Sequence, residues 1–184
     1  MVDKGVLFQY FAVIFFVLTA VVTILKGNVL LALIPTVAGV AYFFMINNER
    51  EKEKYRYIDW AVTTPLMLVA ILSVNRIPLH YIIPAVVADL FMVYFGYKAT
   101  QETVHEKKMT NFFISCVAFL PILYLLYKCK YTKYAKYLTL IVWSLYPILW
   151  YINELEAWSE STSTTAYAVM DVCAKVGLVY FLQE

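Results

Sequence analysis

The chain divides into seven long apolar runs, at about 6–26, 28–47, 56–75, 78–98, 110–128, 134–153 and 163–182, separated by brief polar breaks. A helix needs roughly 20 mostly apolar residues to cross the hydrocarbon core of a bilayer, and each run meets that length. A transmembrane barrel would show segments of about 10 residues alternating apolar and polar, whereas these runs are continuous. The pattern predicts an all-α membrane protein, a bundle of seven transmembrane helices occupying residues 1–184 as a single domain. KGN joins the first two runs and SVNRIP the third and fourth; the longest link, YKATQETVHEKKMT, joins the fourth and fifth. Links this short make sequential helices antiparallel. Pro35, Pro65, Pro84, Pro121 and Pro147 fall inside runs, where a membrane helix tolerates them as kinks. The hydroxyl-rich SESTSTT at 159–165 suits the start of the seventh helix, where side-chain oxygens can cap free amides.

Composition sharpens this picture. The chain is 62% hydrophobic and 15% charged, outside the range of ordinary soluble domains. The first run is too long for a signal-peptide core and no small-residue cleavage site follows it, so it reads as a spanning helix. An integral, multi-pass protein of the plasma or another cellular membrane is expected. The net charge of +2 does not point to nucleic acid, because the bases cluster at membrane edges, where snorkelling and lipid headgroups account for them. Cys116, Cys129 and Cys173 have neither zinc-site nor redox-pair spacing, and no metal site is expected.

Charge also sets the orientation. With the N-terminus outside, the inner breaks hold Lys26, Arg76, Lys128, Lys130, Lys133 and Lys136. The outer breaks mix Glu49, Glu51, Glu53, Glu154, Glu156 and Glu160 with Arg50, Lys52, Lys54, Lys107 and Lys108. The positive-inside rule favours the N-terminus outside and the C-terminus in the cytoplasm.

Several charges fall inside the runs. In the third, Arg56 and Asp59 stand three apart, with Thr63 and Thr64 one turn later; the fourth holds Asp89; in the seventh, Asp171 and Lys175 are four apart. Asp59 with Thr63, and Asp171 with Lys175, share helix faces. Each unpaired intramembrane charge costs roughly 2.5–3.5 kcal/mol on insertion scales. One reading is a structural network in which Lys175 and Arg56 neutralise Asp59 and Asp171. The other is a site of proton or ion chemistry, since a desolvated amine can attack an aldehyde to give an imine that nearby carboxylates keep protonated. Trp143, Tyr146 and Trp150 form one helical stripe, and Trp60 adjoins Asp59. Such a stripe alone is more often core packing; beside a buried lysine and two carboxylates it favours a cofactor site.

RYIDWAVTTPL in the third helix, WSLYP with Trp150 in the sixth and DVCAKVG in the seventh together resemble the microbial (type 1) rhodopsins of the bacteriorhodopsin-like kind, seven-helix proteins that bind retinal. The resemblance runs from the second helix to the end, and compact chains of this kind also occur among viral rhodopsins. It implies all-trans retinal joined to Lys175 as a Schiff base, Asp59 and Asp171 as counterions, and Asp59 as the primary proton acceptor. Thr63 is expected to hydrogen-bond Asp59, and Arg56 to stand just outside as a gate. By the same resemblance Tyr42, Tyr57 and Tyr146 surround the pocket, Trp60, Trp143 and Trp150 enclose the polyene, and Thr64 lines it. Pro147 shapes the sixth helix near the ring, Asp89, Met92 and Gly96 lie at the ring end, and Phe112, Ser115 and Phe119 come from the fifth helix. Met67 and Ala174 hold colour-tuning positions without a polar group, which implies green absorption. Trimers and pentamers are common in the family, so a homo-oligomer in membrane lipid is expected; no transducer can be named.

The sequence departs from the pump pattern at two places. Eleven residues after Asp59, where efficient outward pumps of this family keep a carboxylate donor, stands Ala70. Eight residues before Asp171, where a glutamate often serves proton release, stands Ser163; Glu154, Glu156 and Glu160 read as solvated loop charges. Lys136 holds an inner-end position as an anchor. An aspartate acceptor argues against chloride pumping, the Asp59 and Thr63 pair against sodium pumping, and Asp171 against relatives with proline there. The expectation is no enzyme but a light-driven ion transporter or photoreceptor. A slow outward proton pump leads, ahead of a light-gated cation channel or sensory photoreceptor and of a retinal-free transporter with Lys175 merely salt-bridged.

Overall fold

The computed structural model describes residues 3–130 and 132–183. Its helices are α1 (Lys4–Leu25), α2 (Val29–Asn47), α3 (Lys52–Val74), α4 (Leu79–Gln101), α5 (His105–Lys128), α6 (Lys133–Glu154) and α7 (Glu160–Gln183), with a 3-10 turn, Glu49–Glu51, leading into α3. All seven α-helices are long and apolar enough to cross a membrane, and no strand occurs among the described residues.

Helices extend beyond the apolar runs. α3 begins at Lys52 rather than 56, α5 at His105 rather than 110 and α7 at Glu160 rather than 163, while α4 continues to Gln101 rather than 98. Hydropathy marks the limits of the hydrocarbon, whereas backbone hydrogen bonding continues through the headgroup zone, where charged side chains reach water. The expected long link between the fourth and fifth helices therefore contracts to residues 102–104.

Local chemistry fixes the ends. Asp3 accepts the amides of Gly5 at 2.7 Å and Val6 at 3.3 Å, and the Ser161 hydroxyl donates to the same carboxylate at 2.9 Å, tying the start of α1 to that of α7. Ser159 Oγ accepts from the Thr162 amide at 3.2 Å, the hydroxyl cap expected of SESTSTT. In KGN, Gly27 takes φ of 80°, a left-handed conformation glycine adopts without steric cost. The five intrahelical prolines fall one each in α2 to α6, and α1 and α7 have none.

Consecutive helices pack side by side and α7 returns to α1, closing a ring in which the α5–α6 seam is the thinnest. Phe16, Tyr42, Met45 and Ala168 form a small core between α1, α2 and α7. A larger one, built on Leu68, Ile71, Leu72, Ile122, Leu126 and Leu178, fills the half toward the C-terminus. Large apolar side chains such as Leu18, Phe43, Val117 and Ile141 stay exposed on the outer surface, as a lipid-facing surface requires.

Candidate functional site

α3 and α7 bring three charges together inside the ring. Lys175 Nζ donates to Asp59 Oδ2 at 2.6 Å and to Asp171 Oδ1 at 2.8 Å, and each of the three residues is at most 1% exposed. The four-residue spacing predicted the Asp171 contact; Asp59 reaches the same amine from 116 positions away. Removing one partner of a buried pair leaves an uncompensated charge, which costs about 3–5 kcal/mol.

The two carboxylates are held unequally. Asp171 Oδ1 also accepts from Tyr146 at 2.6 Å and from the Trp60 indole at 3.3 Å, and its Oδ2 accepts from Tyr42 at 2.6 Å. Asp59 Oδ1 has no protein partner among the described residues. Thr63, expected to hydrogen-bond Asp59, donates to its main-chain carbonyl at 2.8 Å. A helical threonine always has that i−4 carbonyl within reach.

Arg56 lies one turn toward the N-terminal side and is 2% exposed. Its Nη1 donates to Glu53, and its guanidinium stacks 4.0 Å from the centre of the Tyr167 ring. Its Nε has no partner among the described residues. Neither Glu53 nor Tyr167 was singled out in the sequence, Glu53 because it precedes the apolar run and reads as a loop charge.

Beside the charges opens a slot whose polar end is Lys175 with Asp171. Of the residues expected around a cofactor, Tyr57, Trp60, Thr64, Met67, Met92, Gly96, Ser115, Phe119, Trp143, Tyr146, Pro147, Trp150 and Ala174 all line it. Counting its open mouth, the slot takes in about 800 Å³ of space between these side chains. Phe112, Val93 and Cys116 line it too. Val93 lies four residues after Asp89 and Cys116 four after Phe112, spacings from which both could have been found. Phe112 stacks on Trp150 with centroids 4.5 Å apart and planes 11° from parallel.

Two expected pocket residues stand outside the slot. Tyr42 reaches Asp171 from the far side and packs its ring 5.5 Å from Phe16. Asp89 lies behind Thr64, whose hydroxyl donates to Asp89 Oδ2 at 2.7 Å, and its Oδ1 has no partner among the described residues. The spacing from Asp89 to Met92 and Gly96 placed all three on one face, but helix rotation turns the carboxylate toward α3 rather than into the slot.

The departures from the pump pattern are also resolved. Ala70 packs against the apolar core, and Ser163 Oγ donates to Asn153 Oδ1 at 2.8 Å. Glu154 pairs with Lys108 at 3.0 Å and Glu160 with Lys52, so both are engaged at the rim. Lys136 donates to the Cys129 carbonyl at 2.7 Å, an anchor as expected.

A seven-helix ring with a buried lysine at the end of an aromatic slot is the architecture of light-responsive retinal proteins. Comparison of sequences leads to the same class: the profile described as "Bacteriorhodopsin-like protein" matches residues 5–184. The chain belongs to this family, the type 1 microbial rhodopsins, and is an integral multi-pass membrane protein. The family binds retinal, and its members are light-driven ion pumps and sensory photoreceptors, not enzymes. The chain is 31% identical to bacteriorhodopsin of Halobacterium salinarum over 137 residues, covering 66% of this chain and 52% of that one. Sensory rhodopsin-1 of the same organism is 30% identical over 173 residues, covering 82% and 72%. The chain thus spans about half the length of the first curated relatives it matches. Cyanorhodopsin from the cyanobacterium Tolypothrix sp. shares the fold with a TM-score of 0.90 over 100% of this chain and 95% of that one, at 24% identity.

The residues present fit retinal. The slot walls are apolar and aromatic with an amine at one end, as a long apolar aldehyde requires. Gly96 lets the Tyr57 ring pack closely against α4: a Cβ there would lie 3.1 Å from Tyr57 Cε1. The Ser115 hydroxyl is engaged by the Met92 carbonyl at 2.8 Å.

Proposed function

We propose that the protein is a light-driven outward proton translocator with slow recovery, carrying all-trans retinal on Lys175, with its N-terminus outside and its C-terminus in the cytoplasm. The observation that carries this reading is the inequality of the two carboxylates around Lys175. Hydrogen bonds to an anion stabilise it; among the described residues the Asp171 carboxylate accepts four and that of Asp59 only the one from Lys175. Bound at Lys175, retinal supplies light absorption and an isomerisation that makes the proton on Nζ labile. Asp59 Oδ2, 2.6 Å away, is the base that takes it, while Asp171 remains ionised and holds Nζ in place. Arg56 and Glu53 lie on the way from Asp59 to the N-terminal side. Nζ regains a proton from the opposite side through water, because Ala70 has none to give. The lysines clustered at the α5–α6 turn support the orientation.

Illumination of cells expressing the protein with retinal should acidify the medium, and a protonophore or Asp59→Asn should abolish the signal. Alkalinisation, or no response from a coloured protein, would overturn the pump. A second reading, a sensory photoreceptor, is favoured by Ala70 together with the similarity to sensory rhodopsin-1 over 82% of the chain. It requires a coloured protein that moves no protons.

A further inference from the structure

Two cations, Lys175 and Arg56, face the two inner carboxylates, and charge alone would draw Arg56 toward Asp59 and Asp171. The structure places it otherwise. Arg56 donates to Glu53, three residues back on α3, and lies flat over Tyr167 of α7. Helical side chains lean toward the N-terminus, so the i−3 neighbour is well placed to receive them. The contact bridges two environments: the Arg56 side chain is 3% exposed and that of Glu53 38%. On the inner side the link is not made, since Asp59 Oδ1 and Arg56 Nε both lack a protein partner among the described residues.

We infer that Glu53 is a positioning residue for proton transfer: it tethers Arg56 toward the N-terminal side, away from Asp59, and thereby sets how readily Asp59 takes and keeps a proton. This rests on the reading of Lys175 as the retinal carrier. The charged and titratable groups facing Arg56 are Glu53 and Tyr57 of α3, Tyr42 of α2, and Tyr167 and Asp171 of α7. Of these only Glu53 is an acid with access to water. The tether engages its carboxylate as the ion-pair partner of Arg56. Ser163, already bonded to Asn153, offers no acidic proton. Protons therefore leave late in the cycle, when Asp59 itself gives one up.

The test uses the retinal-loaded protein and titrates the dark colour change that accompanies protonation of Asp59. In Glu53→Gln the freed guanidinium moves inward, and the midpoint falls by about one pH unit or more, the scale of an opposite charge brought close; Glu53→Asp restores it. In an Arg56→Gln background, Glu53→Gln should shift the midpoint little. An unchanged midpoint in Glu53→Gln, or an equal shift with and without Arg56, overturns the tether. A pH-sensitive dye should register uptake before release in the wild type, and release before uptake overturns the late-exit assignment. Nitrogen-15 NMR of the Arg56 guanidinium in retinal-free protein separates this proposal from the pigment reading. Its two terminal nitrogens should be inequivalent in wild type, with the same shifts in Glu53→Asp and altered shifts in Glu53→Gln, whether or not a visible band forms. Equivalence in the wild type overturns the tether, whereas a colourless wild type with inequivalent nitrogens overturns only the pigment reading.

Discussion

Asn75 Nδ2 donates to Thr132 Oγ1 at 2.6 Å, joining the residue after α3 to the one before α6. Asn75 also donates to the Ile71 carbonyl at 2.7 Å, and both residues are less than a tenth exposed. The bond closes the C-terminal side of the ring next to its thinnest seam. A hydrogen bond of this kind contributes about 0.5–1.5 kcal/mol, so Asn75→Ala should speed late recovery after a flash by roughly two- to tenfold. Flash photolysis checks this; an unchanged recovery time would show that this contact does not restrain the entry of protons.

The charge of Lys175 and its proposed linkage to retinal can be separated by substitution. Lys175→Ala should abolish the visible band and lower the melting temperature of the retinal-free protein, because Asp59 and Asp171 lose the cation between them, a loss of about 3–5 kcal/mol. Lys175→Arg keeps the charge but cannot form the linkage, so it should be colourless and closer to wild type in melting. Colour retained in either variant would overturn the assignment of Lys175.

Ala70 packs among apolar neighbours in the half of the bundle toward the C-terminus. Ala70→Asp should accelerate recovery at neutral and alkaline pH, where protons in water are scarce. It should also lower stability by roughly 2.5–3.5 kcal/mol as a charge enters the apolar interior. Recovery rates measured across pH decide it: a decay that keeps the wild-type pH dependence would mean that donor access is not limiting.

Asp3 gives the α1–α7 tie an acid limit. The Ser161 hydroxyl first, then the amides of Gly5 and Val6, hold its carboxyl below the ordinary value of 3.8. A folded value below the unfolded one means that the contribution is complete above about pH 3.8 and drains away as pH falls through the lower folded value. The stability difference between wild type and Asp3→Ala should therefore shrink in strong acid. Melting curves across acid pH test this, and a constant difference would assign the effect to helix packing alone.

Much of the site was legible because a bilayer penalises charge. Asp59, Asp171 and Lys175 stand out in apolar runs, and the structure brings the Lys175 amine within 2.8 Å of both carboxylates. The tryptophan and tyrosine stripe of α6 was readable for the same reason, as periodicity against a plain background. Helix rotation was much less legible. Where every face is apolar, hydropathy does not say which way a residue turns, so Asp89 was expected in the slot and lies behind Thr64. Glu53 was hidden differently: before an apolar run a glutamate looks solvated, and only the backward lean of Arg56 gives it a partner. The helix ends were missed because they lie in the headgroup zone, where helix and hydropathy part company.

The distribution of prolines has a mechanical consequence. A proline leaves the carbonyl four residues earlier without its helical partner and lets the rod bend there. α2 to α6 each contain one, whereas α1 and α7, packed together and clasped at Asp3 and Ser161, contain none. The helix that bears Lys175 is thus half of a proline-free post, and the five jointed staves around it can flex while the post keeps the buried amine at a fixed address.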